Sequence, residues 1–131
     1  MSTQTLTDES FDQTLLDNDI VLVDWWAAWC APCRAFAPTF EKASAAHPDI
    51  VFGKVDTEAE QSLASWAAIT SIPTLMAFRA GILIFSQPGA LAASALEKLI
   101  ARVRALDMDE IRAQIADSQA HTESTAATAA S

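Results

Sequence analysis

Cys30 and Cys33 are the only two thiols in the chain, and two residues separate them. A pair so close in sequence cannot staple distant parts of a fold together, so a structural disulfide framework is not what they supply. They follow an apolar run and open a helical pattern, which puts the first thiol where unpaired backbone N–H groups and the positive end of a helix favour a thiolate. With both sulfurs inside one helical turn, a local bond can close and reopen. The chemistry this arrangement supports is reversible thiol–disulfide exchange. A closed zinc site needs four ligands, whereas the chain offers one thiol pair and two distant histidines, His47 and His121.

One further ionisable group stands out. Asp24 ends the apolar run Ile20 to Val23, and a carboxylate enclosed there would be costly to keep charged, so its pKa is expected to rise.

The elements that must position these groups follow from periodicity. Phe11, Leu15 and Leu16 mark one stripe of a first helix, and the run from Ile20 to Val23 is apolar at successive positions, as a central strand covered on both faces requires. After Cys30, the positions Phe36, Phe40 and Ala43 recur at helical spacing to about His47. A second strand is predicted over residues 50 to 55, and Asp56 or Thr57 then caps a helix containing Leu63, Ala64 and Ala67. Residues 74 to 78 and 82 to 85 read as an antiparallel hairpin around Arg79, Ala80 and Gly81. A closing helix carries Leu96, Leu99, Ile100 and Val103 on one face. Met108, Ile111 and Ile115 predict a short amphipathic helix over residues 107–117, and the Ala/Ser/Thr-rich stretch 118–131, which lacks an apolar period, is expected to be disordered.

The whole is the size of one domain: 131 residues, 51 % hydrophobic, with three glycines. Eight basic residues face seventeen acidic ones, for a net charge of −9. Such a field repels phosphate backbones and anionic lipid, so neither nucleic-acid nor membrane binding is expected. Five of the acids follow Leu106, so the domain ahead of it is acidic as well. The acidic start, MSTQTLTDES, lacks the basic and apolar regions of a secretion signal, and no run reaches the roughly 18 apolar residues of a membrane span. A cytoplasmic location is expected.

The segment Val23-Asp24-Trp25-Trp26-Ala27-Ala28-Trp29-Cys30-Ala31-Pro32-Cys33-Arg34, followed by Ser71-Ile72-Pro73-Thr74, resembles the thioredoxin family. The resemblance covers about residues 3 to 106 and implies an α/β thioredoxin fold, a central mixed sheet flanked by helices, over a domain spanning 1–106. It implies that Cys30 attacks a substrate disulfide and that Cys33 resolves the mixed disulfide. It gives Asp24 the role of moving protons to and from Cys33, with Lys54 moderating the charge of that carboxylate. Pro73 matches the family's cis-proline, and Trp29, Ile72, Pro73, Gly89 and Ala90 match its docking surface for an extended substrate segment.

The implied activity is protein-disulfide reduction by a monomer with no bound cofactor, recharged with electrons from NADPH through a separate flavin-dependent thioredoxin reductase. Ala31, Arg34, Trp25 and Ser71 depart from the commonest family pattern without removing a catalytic group. Trp66 falls on a helix position that is usually polar, consistent with rearranged core packing or with an exposed partner contact. Two other functions remain open at this point: a partner-binding subunit of the same fold without turnover, and a disulfide oxidant or isomerase dedicated to one pathway.

Acidity contributes little to such a site. Lowering a thiol pKa from about 8.5 to about 7 raises the thiolate fraction at neutral pH roughly 16-fold, while a Brønsted slope of about 0.45 cuts intrinsic nucleophilicity roughly 5-fold. The net gain is about threefold, so most of the rate must come from positioning.

Overall fold

The computed structural model describes residues 3–130, with side chains described to residue 119. Five strands form one sheet: β1 (Thr3–Thr5), β2 (Ile20–Trp26), β3 (Val51–Asp56), β4 (Thr74–Arg79) and β5 (Ile82–Pro88), in the order β1-β3-β2-β4-β5. The β1–β3 and β3–β2 pairs are parallel, and β4 runs antiparallel to both of its neighbours, β2 and β5. Five helices complete the chain: α1 (Phe11–Asp17), α2 (Ala31–Ala46), α3 (Gln61–Trp66), α4 (Ala93–Ala105) and α5 (Met108–Ala130).

The unbroken apolar character of β2 is explained by its place at the centre. Ile20 and Leu22 enter a core with Phe36 and Phe40 of α2, Phe52 of β3, and Leu96 and Ile100 of α4. Val21, Val23 and Trp25 face the other way, into a second core with Phe11 and Leu15 of α1, Leu63 of α3, and Met76 and Phe78 of β4. A strand between two cores has no solvated face on which to place polar residues. By the same alternation, Asp24 shares the α2 face with Ile20 and Leu22.

α2 runs through Pro38 to Ala46. Pro38 lacks the N–H that would bond the carbonyl of Arg34, so the helix continues there on its neighbours' bonds and on the apolar packing of Phe36 and Phe40. The β4–β5 hairpin closes on a two-residue loop, with Arg79 opposite Ile82 and positive φ at both Ala80 (52°) and Gly81 (79°). That is the backbone of a type I′ turn.

Several sequence expectations need correction. β1 lacks a signal of its own, because three polar residues make up the strand. β5 extends past Phe85 to Pro88, since Thr74 and Leu75 still supply partners to Pro88 and Gln87. Leu16 leaves the stripe of Phe11 and Leu15 and lies in solvent. The stretch expected to be disordered from residue 118 is helical to Ala130, continuing the short helix predicted over 107–117. The stretch contains no glycine or proline, the two residues that most strongly oppose helix, so the lack of an apolar period does not by itself end the helix. Ser131 lies outside the described residues.

Candidate active site

The cysteines sit where β2 gives way to α2. Cys30 takes the N-cap position with extended backbone, and its Sγ accepts a hydrogen bond from the Cys33 N–H at 3.2 Å. One of the four donors left open at a helix start is therefore satisfied by sulfur, which favours a negatively charged sulfur at that atom. Ala31 and Pro32 begin the helix, positions where proline's missing N–H costs nothing. The two cysteines are joined as a disulfide, their Cα atoms 5.2 Å apart. Both are largely covered, but Cys30 lines an open groove of about 440 Å³, of which Cys33 is not part.

Asp24 is buried, and among the described residues neither carboxylate oxygen has a hydrogen-bond partner. Loss of water pushes its pKa up to about 6, an effect that the positive charge of Lys54 only partly opposes. Lys54 is the direct cross-strand neighbour of Asp24 in the β2–β3 pair, and its Nζ stands over the Trp26 ring, 4.9 Å from the centroid. The lysine charge is thus held at the sheet's C-terminal end by an aromatic face.

The groove beside Cys30 is walled by Trp29, Pro32, Thr57, Ile69 and Ile72. Trp29 is 67 % exposed, yet its indole is held, because Nε1 donates to Glu58 Oε1 at 2.8 Å. Glu58 is itself placed by a turn in which Asp56 Oδ1 accepts the N–H groups of Glu58 and Ala59, and Thr57 ties that turn to the Trp26 carbonyl. On the opposite wall the Ile72–Pro73 peptide is cis. The Ile72 carbonyl oxygen lies 3.7 Å from Cys30 Sγ. Trp25 pairs with Thr74, so the end of β2 and the start of β4 carry the two sides of the site next to each other.

The residues singled out from sequence divide accordingly. Trp29, Cys30 and Ile72 meet in the groove. Pro73 and Gly89 are joined by a 2.7 Å bond from the Gly89 N–H to the Pro73 carbonyl, beyond the groove walls, and Ala90 is exposed further along that loop. Glu58, Thr57 and Ile69 were not legible as site residues: nothing in their spacing relates them to Cys30, and only the fold brings them there. Trp26 lies within the motif, and its part in the site is the ring over which Lys54 stands.

Comparison with known proteins agrees with this geometry. The family profile described as Thioredoxin matches residues 2–102. A Streptomyces coelicolor protein named "Putative thioredoxin 2" is 56 % identical over 119 residues, which is 91 % of this chain and 89 % of that one. Among solved structures, a thioredoxin from Halobacterium salinarum superposes with a TM-score of 0.73 at 30 % identity, covering 80 % of this chain and 92 % of that one. A thioredoxin from Plasmodium falciparum gives 0.71 at 34 % identity, over 76 % and 98 %. Among the described residues no helix is long and apolar enough to cross a membrane. A helix-capping cysteine bonded to its neighbour across one turn, in a chain with these relatives, places the protein in the thioredoxin family as a thiol–disulfide oxidoreductase of the protein-disulfide reductase type.

Proposed function

We propose that Cys30 is the attacking sulfur, Cys33 the resolving one, Asp24 the proton acceptor for Cys33, and Lys54 the group that moderates the charge of Asp24. The observation that supports this order is the asymmetry of the pair: Cys30 opens onto the groove and Cys33 does not. In the reduced protein, the Cys30 thiolate attacks one sulfur of a substrate disulfide, and the other substrate sulfur leaves as a thiolate that takes up a proton from water. The Cys33 thiol then gives its proton to the Asp24 carboxylate and attacks Cys30 Sγ, breaking the mixed disulfide and releasing the second substrate thiolate. Two electrons pass to the substrate, and the protein is left in the oxidised form seen here. An aspartate poised near neutrality suits this task, since it accepts and returns a proton at small cost.

Trp29, Ile72, Pro73, Gly89 and Ala90 form the docking surface in this proposal, the groove supplying apolar contact and the Pro73 loop supplying backbone to an extended segment. The chain works as a cytoplasmic monomer, and NADPH supplies the electrons through a separate thioredoxin reductase. The direction of flow is tested by equilibrating the Cys30/Cys33 couple against glutathione. A potential near about −270 mV supports a reductant, whereas one near about −180 mV makes the protein an isomerase or oxidant. The roles are tested by Cys33→Ser, which should accumulate a mixed disulfide through Cys30, and by Cys30→Ser, which should abolish turnover. Trapping through residue 33 in the second variant would reverse the assignment.

A further inference from the structure

A second apolar groove, of about 570 Å³, lies away from the cysteines between α1, α3 and the β4–β5 hairpin. Leu15, Met76 and Phe78 line its inner part, while Leu16, Trp66 and Leu83 stand at its mouth, 75 %, 69 % and 49 % exposed. Three large apolar side chains around one opening are a concentration that a surface serving only solubility does not keep. Trp66 is not loose there. Its ring meets Phe11 edge-on at 6.1 Å, and Phe11 is packed against Trp25 and Phe78, so the exposed indole is anchored to the core. A fixed, exposed tryptophan is the type of side chain that dominates protein interfaces.

The charge around the groove selects the occupant. Residues 8–17, which contain α1 and its lead-in, carry four acids and no base, and α3 carries no charge. Asp12 lines the groove itself. The opposite side of the sheet is different, with Arg34, Lys42, Lys98, Arg102 and Arg104 on α2 and α4. A second copy docked groove to groove would oppose two acidic rims, and nucleic acid or anionic lipid meets the same repulsion. What fits both the apolar floor and the acidic rim is a cationic amphipathic segment. We propose that this groove docks a basic amphipathic helix of a partner protein, its apolar side chains seated against Trp66, Leu16 and Leu83 and its Lys or Arg residues over Asp12 and Asp17. The contact leaves the Cys30 groove open, so exchange continues while the partner is held.

The test uses the full-length oxidised protein and two designed 18-residue helices of the same apolar pattern, one Leu/Lys and one Leu/Glu, titrated by calorimetry at low and high salt. The Leu/Lys peptide should bind and shift the Trp66 indole NMR signal, and the Leu/Glu peptide should not bind. Trp66→Ser should weaken Leu/Lys binding at least about tenfold, and Asp12→Asn with Asp17→Asn should flatten its salt dependence. Disulfide reduction should be unchanged in all these variants, their folding checked by near-ultraviolet circular dichroism. Equal binding of both peptides, binding that survives Trp66→Ser, or no binding of the Leu/Lys peptide would overturn the proposal. So would dimerisation of the protein by sedimentation that Trp66→Ser abolishes, which would make a second copy the occupant. Failure of the exchange reaction in the parent protein would bear on Cys30 and Cys33 and not on this groove.

Discussion

Asp24 and Lys54 face each other in the register of the parallel β2–β3 pair, yet the lysine does not hold the carboxyl in its ordinary range: burial prevails and the pKa stands at about 6. The sign of the resulting pH dependence follows. Between about pH 4 and 6 the folded protein holds the Asp24 proton more firmly than the unfolded chain, so stability falls as pH rises through that window and levels off above it. A shift of about two units corresponds to about 3 kcal/mol. Asp24→Asn, which cannot ionise, should therefore stabilise the oxidised protein by up to about 3 kcal/mol at pH 8 and leave it nearly unchanged at pH 4. Guanidinium midpoints at the two pH values check this; an equal change at both would mean that ionisation is not the cause.

Trp29 is held over the groove by Glu58, an exposed hydrogen bond of 2.8 Å. Bonds of this kind contribute about 0.5–1 kcal/mol net. Glu58→Ala should raise KM for a protein disulfide about two- to fivefold with little change in kcat, because the indole loses its fixed position while the sulfurs do not. Glu58→Gln retains an acceptor and should restore most of the loss. If Glu58→Ala lowered kcat and left KM intact, Trp29 would not be acting in docking.

These two groups also mark what the sequence could and could not reveal. Asp24 was legible because a carboxylate closing an apolar strand conflicts with its surroundings, and such conflicts are local. The central strand β2 was legible for the same reason, its continuous apolar run having no other physical use. Glu58 was hidden because its role depends on a turn set by Asp56 and on the approach of two segments 29 residues apart. Leu16 departs from the expected stripe because it lies about 100° around the helix from Leu15, past the edge of the face that α1 turns inward with Phe11 and Leu15. The helix beyond residue 117 is invisible to periodicity, which detects burial, because this stretch has no apolar period.

The β4–β5 turn places Ala80 at φ 52°. A Cβ in the left-handed region costs about 1–2 kcal/mol, which asparagine and glycine largely avoid. The Ala80 N–H bonds the Asp19 carbonyl at 2.7 Å, and asparagine keeps that donor. Ala80→Asn should create the favoured Asn-Gly pair with Gly81 and raise stability by about 1 kcal/mol, seen as a higher denaturant midpoint at constant m-value. A loss of stability would show that the turn does not hold this conformation in solution.

Gly53 presents the opposite case, a position that tolerates no side chain. It lies in β3 between β1 and β2, opposite Gln4 and Val23. A Cβ there would overlap the Leu6 side chain, reaching within 2.8 Å of Cγ and closer still to Cδ1. Leu6 cannot swing away freely, because it is buried in the core shared with Phe11, Val23 and Val55, and its N–H is tied to the Lys54 carbonyl at 2.8 Å. Overpacking of this kind costs about 1–3 kcal/mol. Gly53→Ala should lower stability by that amount, and Leu6→Ala in the same chain should recover part of it by making room, giving a double-mutant coupling of opposite sign to the single effects. Additive losses would mean that the strain is taken up elsewhere in β3. Because Lys54 follows directly, any displacement of β3 should also register as a changed Asp24 titration.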